Sequence, residues 1–169
     1  MKNLFKLLGL LLLSFSLTNS IYAQVGYIQP SPTSPDDEVT LFIDINQSQD
    51  GLQNNALSAM LDVMPDTTHV YLWAWNPSSP MAGNGEWTAS NEAMRLNRIG
   101  PKLYSMTFVP TEFFDIEGAE LYASGISCLA KLKDGSPIDG FEGEPKTEDL
   151  YIPIVPKLCD EVICVFPEV

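Results

Sequence analysis

Apolar residues in this chain recur at every second position, and that period restricts the fold more than any other feature of the sequence. Val39-Thr40-Leu41-Phe42-Ile43-Asp44-Ile45 alternates, and Val70-Tyr71-Leu72-Trp73-Ala74-Trp75 does so again with its aromatics on one side. Successive side chains of a strand point to opposite faces, so runs of this kind, rich in β-branched and aromatic residues, predict strands. Leu103 to Val109 predicts a third strand, Gly125 to Leu132 a fourth and Leu150 to Val155 a fifth, the last placed toward a sheet edge by Pro153. Helical spacing is confined to Gly51–Met64, through Leu52, Ala56, Ala59, Met60 and Val63, while Pro110 suits the first position of a short helical turn through Phe114. Several short strands with at most one or two short helical turns predict an all-β antiparallel sandwich.

Asp134-Gly135 is a turn signal, so Lys131 to Gly135 is expected to turn a hairpin whose strand carries a buried Cys128. That register sets Lys131 and Lys133 at alternate positions with Leu132 between them, pointing into the core.

The N-terminus reads as an export signal. Lys2 and Lys6 flank the start of an apolar run from Leu7 to Leu17, polar residues follow at Thr18 to Ser20, and Ile21-Tyr22-Ala23 offers a small residue before Gln24. A membrane span needs about 20 apolar residues, so a cleaved signal peptide over 1–23 is expected in place of a transmembrane anchor, with the product extracellular, on the cell surface or periplasmic. Beyond it the sequence divides into a proline-rich lead-in segment, 24–38, a β-sandwich domain, 39–155, and 156–169, read as a C-terminal strand or the start of a truncated following module.

From Gln24 onward seven basic residues stand against 22 acidic ones, a net of −15. Nucleic acid and anionic membrane surfaces require a basic footprint, so neither is an expected partner. The acids cluster at Asp36-Asp37-Glu38, Glu142 to Asp149 and Asp160-Glu161, as solvated loops do.

Three cysteines are an odd count in a compartment that permits disulfides. Cys159 and Cys164 are the pair able to close a short internal loop, and Cys128 reads as a buried thiol. No Cys-x-x-Cys pair occurs and His69, the sole histidine, reads as a surface or strand-edge residue, so no metal is expected. Asp44, Asn46, Ser48 and Asp50 alternate like calcium ligands, but Gly51 is displaced from the turn position and no Glu closes the loop. No nucleophile has a base near it, and Glu112, Asp115, Glu117 and Glu120 read as a solvated acidic turn rather than a glycosidase pair. Neither catalysis nor a cofactor is expected.

Asn76 to Trp87 is rich in Pro, Ser, Gly and Asn, the composition of an irregular surface loop, and Trp73, Trp75 and Trp87 fall within fifteen positions around it. Taken in order, Asp36-Asp37-Glu38-Val39-Thr40-Leu41, Val70 to Trp75, Gly85-Glu86-Trp87, Pro110-Thr111-Glu112-Phe113-Phe114 and Leu129 to Gly135 resemble a group of secreted bacterial early-set, immunoglobulin-like β-sandwich domains. Such domains occur in surface glycan-utilisation proteins and beside amylase-type catalytic domains, and the resemblance spans roughly residues 27–155. It implies an antiparallel immunoglobulin-like sandwich and a carbohydrate-binding-type function. Aromatic rings would then form a platform for a polysaccharide or oligosaccharide, and the candidate residues are Trp75, Trp87, Tyr71 and Tyr122 with Asn76 and Asn84. The alternative is a structural or protein-interaction domain of an envelope complex, whose partner is another surface protein. Trp73, in a central strand, is expected in the core, and under the alternative Trp87 also folds back to plug the loop against the sheet.

Overall fold

A computed structural model describes residues 24–157. The strands are β1 (Gly26–Gln29), β2 (Val39–Asp44), β3 (Val70–Asn76), β4 (Gly85–Glu86), β5 (Ala89–Ser90), β6 (Asn97–Gly100), β7 (Leu103–Phe108), β8 (Ile126–Leu132) and β9 (Leu150–Ile152). Three short helices accompany them: α1 (Leu57–Val63), α2 (Pro110–Phe114) and α3 (Gly118–Ser124). The chain is therefore mostly sheet with few helices, as the period-two pattern predicts.

Every strand pairing is antiparallel. One sheet has the order β1-β2-β7-β6, a second β3-β8-β9, and β4-β5 is a separate two-stranded ribbon. Register follows the apolar alternation: Leu41 pairs with Met106 and Ile43 with Tyr104 in the first sheet, Leu72 with Ala130 and Ala74 with Cys128 in the second. Val39, Leu41 and Ile43 from one sheet and Val70, Leu72, Ala74, Ile126, Cys128 and Ala130 from the other belong to one buried cluster. Fully burying one Ile or Leu side chain is worth roughly 1.5–3 kcal/mol, so a one-residue slip of β2, which would expose its whole inward set, is strongly disfavoured.

The outward set of β2 is used as well. Phe42 stacks on Tyr27 of β1 with ring centroids 5.1 Å apart, and the Thr40 and Thr107 hydroxyls meet at 2.9 Å across β2 and β7.

Four features differ from the sequence expectation. β1 and β6 are edge strands of four residues, and β6 has no buried side chain to give it a pattern. The acidic stretch after Asp115 forms α3, with Glu117 at the N-cap and Glu120 in the first turn, where carboxylates favour the positive end of the helix. The Asp134-Gly135 turn opens a long excursion rather than a tight hairpin: the chain returns to β8 at Pro145, whose carbonyl accepts from Leu132 N at 2.9 Å, at Lys146, which bridges Lys131, and at Thr147, whose N–H donates to Ala130 O at 2.8 Å.

Cys128 is buried and free, and burial pushes its thiol up to about 12. Cys159 and Cys164, the signal segment and most of 156–169 lie outside the described residues. No helix among the described residues is long and apolar enough to cross a membrane.

Candidate functional site

The alternation of β3 turns Val70, Leu72 and Ala74 into the core and leaves Tyr71, Trp73 and Trp75 on the outer face of the three-stranded sheet, so Trp73, expected in the core, is instead partly buried on that outer face. Trp87, brought back by the β4-β5 ribbon, covers part of that face. Its ring meets Trp73 edge-on with centroids 5.1 Å apart at 79°, and its indole N–H donates to Gly135 O at 3.0 Å. Gly135 is required there, because a Cβ would collide with Nε1 and Cε2 of Trp87.

Beneath Trp87 lies Lys131, a lysine with no exposed surface. Its Nζ sits 4.9 Å from the Trp87 ring centroid and 5.6 Å from that of Trp73, a double cation–π arrangement. The ammonium donates to Ser90 Oγ at 2.8 Å, Leu132 O at 2.8 Å and Lys133 O at 3.0 Å, which uses all three of its protons. Burial pulls Lys131 down to about 8, and the Asp134 carboxylate works against that shift. Leu132 does point into the core between its neighbours as the register predicts. Lys131 is nonetheless buried, because the face it occupies is roofed by an indole 44 residues earlier in the chain.

The other candidate residues are largely committed to holding the fold. Tyr71 is 1 % exposed and donates to Glu92 Oε1 at 3.0 Å, the oxygen that also accepts from Lys133 at 2.6 Å. Burial, first, and then Glu92 push the Tyr71 hydroxyl above its ordinary range. Asn84 is buried with its amide across the edge of β3, accepting from Ala74 N at 3.0 Å and donating to Ala74 O at 2.7 Å, as a neighbouring strand would. That closes part of an otherwise open sheet edge. Asn76 donates to Ser124 O at 3.1 Å, tying the end of β3 to α3. Tyr122, on α3, is exposed, and its hydroxyl donates to Thr33 O at 3.3 Å.

Trp75 is exposed as well, at 40 %, and unlike Tyr122 its side chain makes no hydrogen bond to the described residues. The register of β3 against β8 slips between Ala74 and Asn76, so Trp75 is the extra residue of a bulge, free of the ladder. Ser127 of β8 faces Asn76 on one side and Tyr151 of β9 on the other, and Tyr151 is 56 % exposed. Trp75, one residue before the partner of Ser127, and Tyr151 are thus exposed aromatics on the two outer strands of this sheet, with two strand spacings, roughly 10 Å, between those strands. The Tyr151 ring lies across Gly125, where a Cβ would fall 2.8 Å from the phenol oxygen. Tyr151 was not among the sequence candidates, although the buried-exposed-buried alternation of Leu150-Tyr151-Ile152 carries the signal that it points outward.

Among the described residues no three His, Cys, Asp or Glu side chains gather to hold a metal. The oxygens of Asp44 and Asp50 face local donors, Asp44 accepting from Asn46 N at 3.1 Å and Asp50 from Ala59 N at 3.1 Å. Cys128, buried and held as the thiol, is a poor nucleophile. No protein-family model matches the chain, and no curated protein or solved structure is detectably similar to it.

Proposed function

We propose that this is a non-catalytic carbohydrate-binding-type module of an exported protein, and that it meets its glycan on the open face around Trp75 and Tyr151. The finer fold assignment belongs to the same reading. Naming the strands in chain order without the β4-β5 ribbon, the sheets become A-B-E-D and C-F-G, the arrangement of a seven-stranded immunoglobulin-like sandwich. The ribbon is then an insertion between strands C and D.

The observation that carries the functional reading is the exposed aromatic pair on a rigid sheet. Rings on the two outer strands of one three-stranded sheet present flat faces on either side of its central strand, which suits the apolar faces of sugar rings. Ser127 lies between them, and exposed Asp149, two residues before Tyr151, supplies an acceptor for hydroxyls. Titrating the secreted protein with soluble α- and β-glucans tests it. Trp75 is the most exposed indole, so binding is expected to change tryptophan fluorescence in the parent and not in Trp75→Phe.

A second reading, the structural or protein-interaction domain of an envelope complex, is favoured by one fact: Trp87, Tyr71, Asn84 and Asn76 are all occupied by intramolecular contacts. Fluorescence unmoved by every glucan, together with co-purification of another envelope protein, would decide for it. Export with cleavage before Gln24 is part of both readings, and N-terminal sequencing of the secreted product checks it.

A further inference from the structure

Both arginines of the 169-residue chain and its sole histidine line one pocket. The pocket has a volume of about 270 Å³ and lies between the loop Asp66–His69, the segment Arg95–Arg98 and Tyr104 of β7. In a chain with a formal net charge of −13, two guanidiniums on one pocket, with Asp66 as the one carboxylate of its lining, depart from the general charge distribution.

The two arginines are held differently. Arg98 is fixed: its guanidinium meets Asp66 Oδ1 at 2.7 Å and Asp66 O at 2.8 Å, and its Nε donates to Gly100 O at 3.2 Å. Arg95 is largely uncommitted. Its carboxylate contact is a 3.6 Å approach to Glu92 Oε2, while the other oxygen of that carboxylate, Oε1, takes Lys133 at 2.6 Å and the Tyr71 hydroxyl at 3.0 Å. The side chains of Thr67, Thr68, His69 and Asn97 make no hydrogen bond to the described residues, and neither does the hydroxyl of Tyr104, a residue only 3 % exposed that forms part of the wall. The pocket therefore offers a half-exposed guanidinium held only by one long carboxylate contact, with several unspent donors around a small volume.

We infer that this pocket binds the carboxylate of a small polyhydroxylated acid, of the uronate class, with Arg95 as the bidentate partner. Asp66 neutralises Arg98, so the net positive charge is that of a site for a monoanion, not for a phosphate dianion. Thr67, Thr68 and Asn97 fit hydroxyls, not an acyl chain; the apolar groove lined by Met64, Pro65, Leu132 and Ile138 begins on the other side of His69. A planar guanidinium matches a carboxylate with two parallel hydrogen bonds. His69 precedes β3 and Trp75 lies six residues on, roughly 20 Å along an extended strand, so this site and the aromatic platform stand or fall separately.

Isothermal titration calorimetry of the whole secreted protein with D-glucuronate, D-glucose, hexanoate and inorganic sulfate tests the assignment. The expected result is glucuronate binding at about millimolar affinity, absent with glucose and weaker with hexanoate and sulfate. Arg95→Gln, a half-exposed position whose replacement leaves the Arg98–Asp66 pair in place, is expected to weaken it about tenfold at an unchanged thermal midpoint, since a hydrogen bond to a charged group is lost. Trp75→Ala is expected to leave it unaltered. No heat with glucuronate, equal binding of hexanoate or sulfate, or an affinity unaffected by Arg95→Gln would each overturn the proposal, whatever the glucan experiment shows.

Discussion

The Lys131 ammonium lies 4.9 Å from the centroid of the Trp87 ring, joining the end of β8 to a loop 44 residues earlier in the chain. Trp87 is in this way a roof over a buried charge, fastened through its indole N–H to Gly135. Trp87→Ala is expected to lower stability by about 2–4 kcal/mol, below the figure for a fully buried Trp because the ring is only partly covered. Chemical denaturation measures this. A loss under about 1 kcal/mol, ordinary for surface substitutions, would show that the roof is not needed.

Lys131 also makes stability depend on pH in a defined direction. Its native value of about 8 lies below the usual lysine value of 10.5, so between the two the unfolded chain holds a proton that the native protein has released. Stability contributed through this group therefore rises as pH climbs through that window, by at most about 3 kcal/mol. Denaturation midpoints across the window, compared with Lys131→Met, isolate the effect from other titrating groups. The increment is expected in the parent and absent in the variant; parallel curves would contradict it.

Asn84 is the cap on the edge of β3. Asn84→Asp keeps an acceptor for the Ala74 N–H but sets an unprotonated carboxylate against Ala74 O, at a cost of about 1–3 kcal/mol or more. Protonating that carboxyl restores a donor. The Asn84→Asp deficit is thus expected to shrink as pH falls toward 4, and a deficit that ignores pH would mean the amide is not paired as described.

Cys128 sits at the centre of the shared core with its thiol held protonated by burial. Maleimide labelling followed by peptide mapping, which separates it from Cys159 and Cys164, is expected to find Cys128 unmodified until denaturant unfolds the protein. Rapid labelling under native conditions would move β8 out of the core.

Much of the fold is legible in the sequence because it is local. Val39 to Asp44 and Val70 to Trp75 alternate strongly enough to name their own inward residues, and β7, β8 and β9 begin within one residue of where their patterns do. β1 and β6 are not legible, since a four-residue edge strand carries too few side chains to form a period. The candidate site divides the same way. That Trp75 points outward follows from alternation, whereas the burial of Trp87 depends on Gly135, 48 residues later, and on no neighbour that the sequence places beside it. Asn84 looks like loop composition and acts as a strand substitute, a role set by the edge of β3 rather than by its own surroundings in the chain.

The proposed glycan platform is tested most directly by native affinity electrophoresis of the protein in gels containing α- or β-glucans, run beside Trp75→Ala and Tyr151→Ala with thermal midpoints measured in parallel. Each ring stacked on a partner is worth on the order of 0.5–1.5 kcal/mol. The parent is therefore expected to be retarded by at least one glycan, and each variant to bind it about two- to tenfold more weakly at an unchanged midpoint. A parent that no glycan retards, or variants retarded as strongly as the parent, would contradict the account.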